Sequence, residues 1–193
     1  MSYRTILLFG APGAGKGTQG KIIGTIPGFF HCACGEVFRS LKADSEVGRV
    51  FIEYSSHGEL VPDGPTVKLW HFFIEGCTKT GRFHPKNDTL VLDGIPRNRH
   101  QAEMLQDTLD VVAIFFLRCK DEEALVERLQ RRALRENRLD DANLETIRHR
   151  LETYEKETRP VLDYYPKKIV HNIDSSQKPV EVLFDILKHV GKI

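Results

Sequence analysis

Nine residues constrain the fold of this chain more than any others: Gly10-Ala11-Pro12-Gly13-Ala14-Gly15-Lys16-Gly17-Thr18. An apolar run, Thr5-Ile6-Leu7-Leu8-Phe9, leads into them, and a helix-capable segment, Gln19 to Ile26, follows. A strand, a glycine-rich turn and a helix form the setting in which backbone wraps an anion. Glycines let several N–H groups face one centre, and the helix start adds partial positive charge. Gly10, Gly15 and Lys16 fit the spacing G-x-x-x-x-G-K of a phosphate-binding loop. The general motif places a hydroxyl directly after the lysine. Here Gly17 stands there, and the hydroxyl comes one place later, at Thr18.

The rest of the chain supplies the layers such a loop needs. Gly28 to His31 reads as a second strand, and Gly35 to Leu41 as the start of a helix carrying Arg39. Val47, Val50, Phe51 and Tyr54 recur at spacings of three and four, which predicts a helix from Asp44 to Gly58 capped by Asp44 or Ser45. A further helix is expected from Pro65 to about Lys79. Thr89 to Leu92 and Val111 to Leu117 are short, wholly apolar runs, the pattern of strands buried on both faces. Helices are expected from Asp121 to about Arg132, from Asp141 to about Tyr165, and from Pro179 to Val190, with a last strand at Ile169 to Ile173. Strands alternating with helices predict an α/β fold around a doubly wound parallel sheet. Two excursions interrupt it, Ser40 to about Leu69 and Arg132 to Asp140.

Composition narrows the class of partner. A length of 193 residues suits one α/β core. Net charge is +1, which gives no bulk attraction to nucleic acid or an anionic membrane. No apolar run approaches the roughly 20 residues of a membrane span. Four scattered cysteines without a C-x-x-C pair fit reduced thiols in the cytoplasm. The N-terminus runs straight into the first strand, so no signal peptide is expected.

A phosphate loop alone says only that a nucleotide binds. Asp93 ends an apolar strand expected beside the first, where a carboxylate can hold Mg²⁺ through water, with Thr18 as a second oxygen donor. Arginines recur at element ends and in a basic loop: Arg39, Arg97, Arg128, Arg132, Arg138 and Arg150. Phosphoryl transfer demands positive charge around the equatorial oxygens and in-line geometry more than acid–base chemistry, and guanidinium groups supply both.

Motifs spread along the chain carry a resemblance. G-A-P-G-A-G-K-G-T-Q (Gly10 to Gln19), G-E-L-V-P-D (Gly58 to Asp63) and L-D-G-I-P-R-N-R-H-Q-A-E (Leu92 to Glu103) appear in order. R-L-D-D (Arg138 to Asp141), R-L-E-T-Y (Arg150 to Tyr154) and K-P-V (Lys178 to Val180) follow. In this the chain resembles the adenylate kinases, within the nucleoside monophosphate kinase family, and the Gly17-Thr18 variation is that family's form of the loop. The resemblance implies a P-loop three-layer α/β/α fold with a five-stranded parallel sheet. One domain of residues 1–193 would carry a helical monophosphate-binding insertion at 34–65 and a short lid at 132–141. It implies transfer of a phosphoryl group from Mg-ATP to AMP, giving two ADP, in a cytoplasmic monomer with no nucleic-acid or membrane partner.

The roles follow by position. Gly13, Ala14, Gly15, Lys16, Gly17 and Thr18 would hold the ATP phosphates, with Arg128 stacked on the donor base. Cys34, Gly35, Arg39, Val61, Gly94, Arg97 and Gln101 would bind AMP, joined by Arg138 and Arg150. Lys16, Arg97, Arg132, Arg138 and Arg150 would stabilise the transferring group. Asp140 and Asp141 would hinge or orient the lid. That lid lacks cysteine and histidine, so no zinc is expected.

Departures from the family pattern mark where selectivity is open. Cys34-Gly35-Glu36 stands where threonine, glycine and aspartate are usual, and a thiol is a weaker hydrogen-bonding group than a hydroxyl. Ile95 replaces a phenylalanine, and Ser175-Ser176 replaces a glycine near the ATP base. His31-Cys32-Ala33-Cys34 invites a metal reading but falls short of four ligands, and His57, His71, His84 and His100 read as surface groups. Asn98 matches the related pyrimidine monophosphate kinases, whereas Gln101 does not, so the acceptor is read as AMP. A UMP/CMP kinase and a weakly catalytic nucleotide-binding regulator are the alternatives.

Overall fold

The computed structural model describes residues 2–136, 138, 141 and 143–191. Five strands form one parallel sheet: β1 (Tyr3–Gly10), β2 (Phe29–Ala33), β3 (Thr89–Asp93), β4 (Leu109–Arg118) and β5 (Val170–Asp174). Their spatial order is β2-β3-β1-β4-β5, so β1 lies at the centre. It pairs with β3 through Thr5–Leu90 to Leu8–Asp93 and with β4 as far as Gly10–Leu117. The register brings Asp93 beside the last turn of β1, next to the loop that leaves it.

Period-two alternation splits the core into two sides. Leu7 and Phe9, with Leu90 and Leu92, face a cluster that includes Trp70, Ile74 and Leu105. Ile6 and Leu8, with Val91, face Ile23, Leu129, Ile147 and Ile186. The first side is covered by α2 (Cys34–Arg39), α4 (Asp63–Lys79) and α5 (Arg99–Leu105), with α3 (Glu46–Ser56) beyond them. The second is covered by α1 (Lys16–Ile23), α6 (Glu122–Glu136), α7 (Leu144–Thr153) and α8 (Pro179–Val190). This is the expected three-layer α/β/α arrangement, because β1 is apolar on both faces and must be covered twice.

Several element ends differ from the sequence expectation. α1 begins at Lys16, not Gln19, because Gly15 adopts φ +94° and turns the chain directly into the helix. α4 begins at Asp63, two residues before Pro65. The first helical N–H groups have no intrahelical acceptor, so proline is tolerated within that turn. α6 runs past Arg132 to Glu136, since Arg-Ala-Leu-Arg-Glu is a run of good helix formers.

The single helix expected from Asp141 to Tyr165 is three pieces. α7 starts at Leu144, capped by the Asn143 side chain on the Glu145 N–H. It loosens into a π turn at Tyr154–Thr158 and then tightens into a 3₁₀ turn at Arg159–Asp163. Pro160, which lacks an N–H, lies at that change. Ser45, rather than Asp44, caps α3 by accepting from the Gly48 N–H. Among the described residues, no helix is long and apolar enough to cross a membrane.

Candidate active site

Side chains and backbone from both helical layers meet at the carboxyl end of the sheet, in a cleft of about 810 Å³. Every residue assigned a binding or catalytic role from the sequence lines it, except Asp140 and Asp141. Asp140 lies outside the described residues.

The loop end of the cleft is built by backbone. Gly10 has φ +148°, and a Cβ there would sit 2.6 Å from the Leu117 carbonyl oxygen. Any side chain at that position would push β1 from β4. Gly15 ends the loop with a left-handed turn, so the first N–H groups of α1 point into the cleft. Lys16 folds back over the loop, and its Nζ donates to Gly10 O at 2.7 Å and Ala11 O at 3.1 Å. Burial lowers its pKa to about 8. Asp93 partly offsets that, and Arg97, Arg132 and Arg150 push it further down. A lysine so placed gains from any anion that replaces the carbonyls as its partner.

Asp93 closes this end, its Oδ2 3.7 Å from the position a Gly17 side chain would occupy. The Asp93 carboxylate and the Thr18 hydroxyl are hard oxygen donors beside the helix start, a set suited to Mg²⁺. Arg128 donates from Nη1 to Ser175 O at 3.0 Å, which pins its guanidinium at the outer end of the loop. The expected glycine is replaced here, and Ser175 contributes its backbone carbonyl instead.

Three arginines of the basic region are held by carboxylates. Asp141 is fully buried at its side chain and binds two of them. Its Oδ2 accepts from Arg132 Nε at 2.7 Å, and its Oδ1 accepts from Arg150 Nη1. Arg138 pairs with Glu136 at 2.6 Å. Sequence reading named Asp141 only as a lid residue; its role as a clamp on two arginines depends on the packing of α6 against α7.

The opposite end is built by side chains. The Arg97 Nε donates to Gly94 O at 2.8 Å, which curls the side chain over its own turn. A Cβ on Gly35 would lie 3.1 Å from Arg39 Nη2, and one on Gly94 would lie 3.4 Å from Arg97 Nη2. The two glycines thus make room for two guanidinium groups facing one region. Val61 is buried, and its carbonyl accepts from Thr66 Oγ1 at 3.3 Å.

Gln101 is 1% exposed and bonded at both ends of its amide. Its Oε1 accepts from Arg97 N at 2.8 Å, and its Nε2 donates to Asp63 Oδ1 at 2.8 Å. Asn98 caps α5 through the Gln101 N–H and donates to Asp63 Oδ1 at 2.8 Å. The asparagine that hinted at a pyrimidine acceptor is therefore occupied in holding two helices together.

Cys34 lines the cleft but is 2% exposed, and burial pushes its thiol up to about 11. Cys32 joins it in the core beneath α4, whereas His31 points to the other side of the sheet against Gly20 of α1 and Gly24, which caps that helix. The alternation of β2 separates His31 from Cys32, and Cys34 opens α2 on the side of Cys32. Among the described residues no three His, Cys, Asp or Glu side chains form a metal-binding group. His57, His84 and His100 are exposed as expected, but His71 is half-buried with its ring edge on Trp70. His100 also binds Asp63 Oδ2 at 2.8 Å. Asp63 ends the G-E-L-V-P-D motif, but no side-chain role for it is legible there. Its partners are up to 38 positions away.

Comparison with known proteins agrees with this geometry. The family model described as adenylate kinase matches residues 8–170. The adenylate kinase of Porphyromonas gingivalis is 36% identical, covering 97% of this chain and 95% of its own. That of Thermobifida fusca is also 36% identical, over 88% of this chain and 89% of its own. A UMP-CMP kinase of Xenopus laevis is 33% identical over 94% of this chain and 95% of its own. Sheet order, phosphate loop and matched span agree: the chain belongs to the adenylate kinase family and is a nucleoside monophosphate kinase, a phosphotransferase.

Proposed function

We propose that this protein transfers the γ-phosphoryl group of Mg-ATP to AMP, reversibly, giving two ADP. The observation that carries the acceptor assignment is Gln101, a buried amide lining the cleft within one turn of Arg97. An amide there offers a donor and an acceptor to a base edge. The Arg39 and Arg97 guanidinium groups, crowding Gly35 and Gly94, are suited to grip the acceptor phosphate by paired N–H donors.

The reaction needs no covalent enzyme intermediate. The AMP phosphate oxygen attacks the γ-phosphorus in line as the ADP oxygen leaves. The loop N–H groups and Lys16 hold the donor phosphates. Arg132, Arg138 and Arg150 face the charge that spreads over the transferring oxygens. Asp93, with Thr18, would hold Mg²⁺, which supplies charge neutralisation of the triphosphate. Asp141 and Glu136 hold these arginines in place, and each guanidinium keeps further N–H donors for a phosphate oxygen. Residues 34–65 and 132–141 act as the insertion and lid that close over the nucleotides and exclude water, which would otherwise compete as acceptor. The protein works as a cytoplasmic monomer, without zinc.

An acceptor screen tests this reading. With trace enzyme and Mg-ATP, turnover is expected with AMP ahead of CMP and UMP. Faster turnover of UMP or CMP overturns the assignment, and no ADP from any acceptor points to a regulator.

A further inference from the structure

Gln101 is held by two partners whose hydrogen-bonding sense is fixed. The Arg97 backbone N–H can only donate, and it faces Gln101 Oε1 at 2.8 Å. The Asp63 carboxylate, when ionised, can only accept, and it faces Gln101 Nε2 at 2.8 Å. Turning the amide over would set NH₂ against N–H and carbonyl oxygen against carboxylate. Both oxygens of Asp63 are themselves held, Oδ1 also by Asn98 Nδ2 and Oδ2 by His100 Nδ1, each at 2.8 Å. Burial alone would raise this carboxyl's pKa, but the hydrogen bonds from His100, Asn98 and Gln101 outweigh it and keep the group below the usual carboxylate range. Asp63 is therefore ionised at neutral pH. It stands behind Gln101, outside the cleft lining.

We propose that Asp63 is a positioning residue for acceptor specificity: together with the Arg97 N–H it fixes the polarity of the Gln101 amide and so helps decide which base edges the cleft accepts. The inference rests on the reading of Gln101 as the residue that meets the acceptor base. An amide has two N–H donors and two acceptor lone pairs, and the lock uses one of each. What remains is one N–H and one lone pair, in a fixed order. That pair complements an edge with an exocyclic amino group beside an unprotonated ring nitrogen. Adenine carries that edge, and so does cytosine in a smaller ring. Guanine and uracil carry a carbonyl beside a ring N–H, which sets donor against donor and acceptor against acceptor. The lock therefore selects amino bases over keto bases, and ring size separates adenine from cytosine.

The test compares kcat/KM for AMP, CMP, GMP and UMP in the wild type, in Asp63→Asn and Asp63→Ala, and in each Asp63 variant combined with Gln101→Ala. Asp63→Asn preserves volume and offers Gln101 either a donor or an acceptor. Because the Arg97 N–H still favours the original orientation, the variant's preference for AMP over GMP should fall in part, by a few-fold to roughly tenfold, the lower end of the scale on which one bidentate base contact discriminates. KM for ATP should not move. In the Gln101→Ala background the same change should alter the preference less than twofold. Two results overturn the proposal: an unchanged preference in both Asp63 variants, or an equal loss with all four acceptors, which is what a purely structural role gives. The two ideas fail differently. If Gln101→Ala leaves the preference intact, the base-reading assignment of Gln101 fails. If Gln101→Ala abolishes it and the Asp63 variants keep it, only the role of Asp63 fails.

Discussion

The two ends of the cleft are made of different material. At the proposed donor end, backbone forms the cradle, and the Lys16 and Asp93 side chains close it. Gly10 and Gly15 take conformations that L side chains rarely adopt, and the loop N–H groups and α1 supply the field. At the proposed acceptor end, side chains form it: Arg39 from α2 and Gln101 from α5, with Arg97 just before α5 and Asp63 of α4 behind Gln101. Backbone N–H groups recognise any phosphate and say nothing about a base, whereas an oriented amide distinguishes one base edge from another. On the proposed roles, the donor end is general and locally encoded, and the acceptor end is selective and assembled from distant parts of the chain.

The largest expected effect tests whether one charge dominates the donor end. Lys16→Met should lower kcat by about a thousandfold, the upper range for loss of one group that stabilises transition-state charge. The circular dichroism of the variant should match the wild type, and activity within tenfold of wild type would contradict the role. Stability should move the other way. The folded pKa of Lys16, about 8, lies below its ordinary value of 10.5. Between those pH values the folded state binds fewer protons than the unfolded one, so stability rises with pH there, and below pH 8 the buried charge is a cost. Removing it should raise the melting temperature of the nucleotide-free protein at pH 7.

The same lysine gives a pH test. Phosphate oxygens favour its charged form, so the nucleotide complex has the higher pKa. Affinity for ATP should be flat below pH 8 and weaken above it, by up to about tenfold per pH unit. In calorimetric titrations between pH 6.5 and 9.5, an affinity that does not fall above pH 8 would show that Lys16 is not the titrating contact.

Asp141 joins Arg132 of α6 to Arg150 of α7. It is buried, and Arg132 and Arg150 both depend on it. Asp141→Asn removes the charge while nearly preserving shape. It should cost about 2–4 kcal/mol, because two partly buried guanidinium groups lose a charge-assisted partner. Urea unfolding measures this, and a loss under about 0.5 kcal/mol would mean that water replaces the clamp.

Legibility followed the same division. The loop, the central strand and the alternation of the sheet were visible because glycine, lysine and apolar period-two runs are local signals. Even Arg97 and Gln101 could be placed through short motifs. The clamp at Asp141 and the proposed lock at Asp63 could not. Each is a single acid whose meaning depends on which helix packs beside it: the R-L-D-D motif marks Asp141 as a lid residue and the G-E-L-V-P-D motif ends on Asp63, but neither names a partner. The broken helix after α7 was missed for a related reason. Its apolar pattern continues through Tyr154, Val161 and Leu162, all buried, while the backbone changes its hydrogen-bonding step around Pro160.

The smallest expected effect concerns how far the acceptor end has drifted from its family's pattern. Cys34 occupies the position where a threonine hydroxyl is usual, and its thiol stays protonated at neutral pH because burial raises its pKa to about 11. A thiol is a weak donor, so AMP gains little from it. Cys34→Ser adds no volume to a residue that is 2% exposed and supplies a stronger hydrogen-bonding group. KM for AMP should fall by about two- to fivefold, which corresponds to roughly 0.5–1 kcal/mol, the net value of one hydrogen bond. KM for ATP should stay constant, because the donor end is made by backbone on the other side of Asp93. Two results would count against the division drawn above. If both KM values shift together, the two ends are mechanically coupled through β3. If neither shifts, position 34 serves the core beneath α4, and base recognition falls to Gln101 and the Val61 carbonyl.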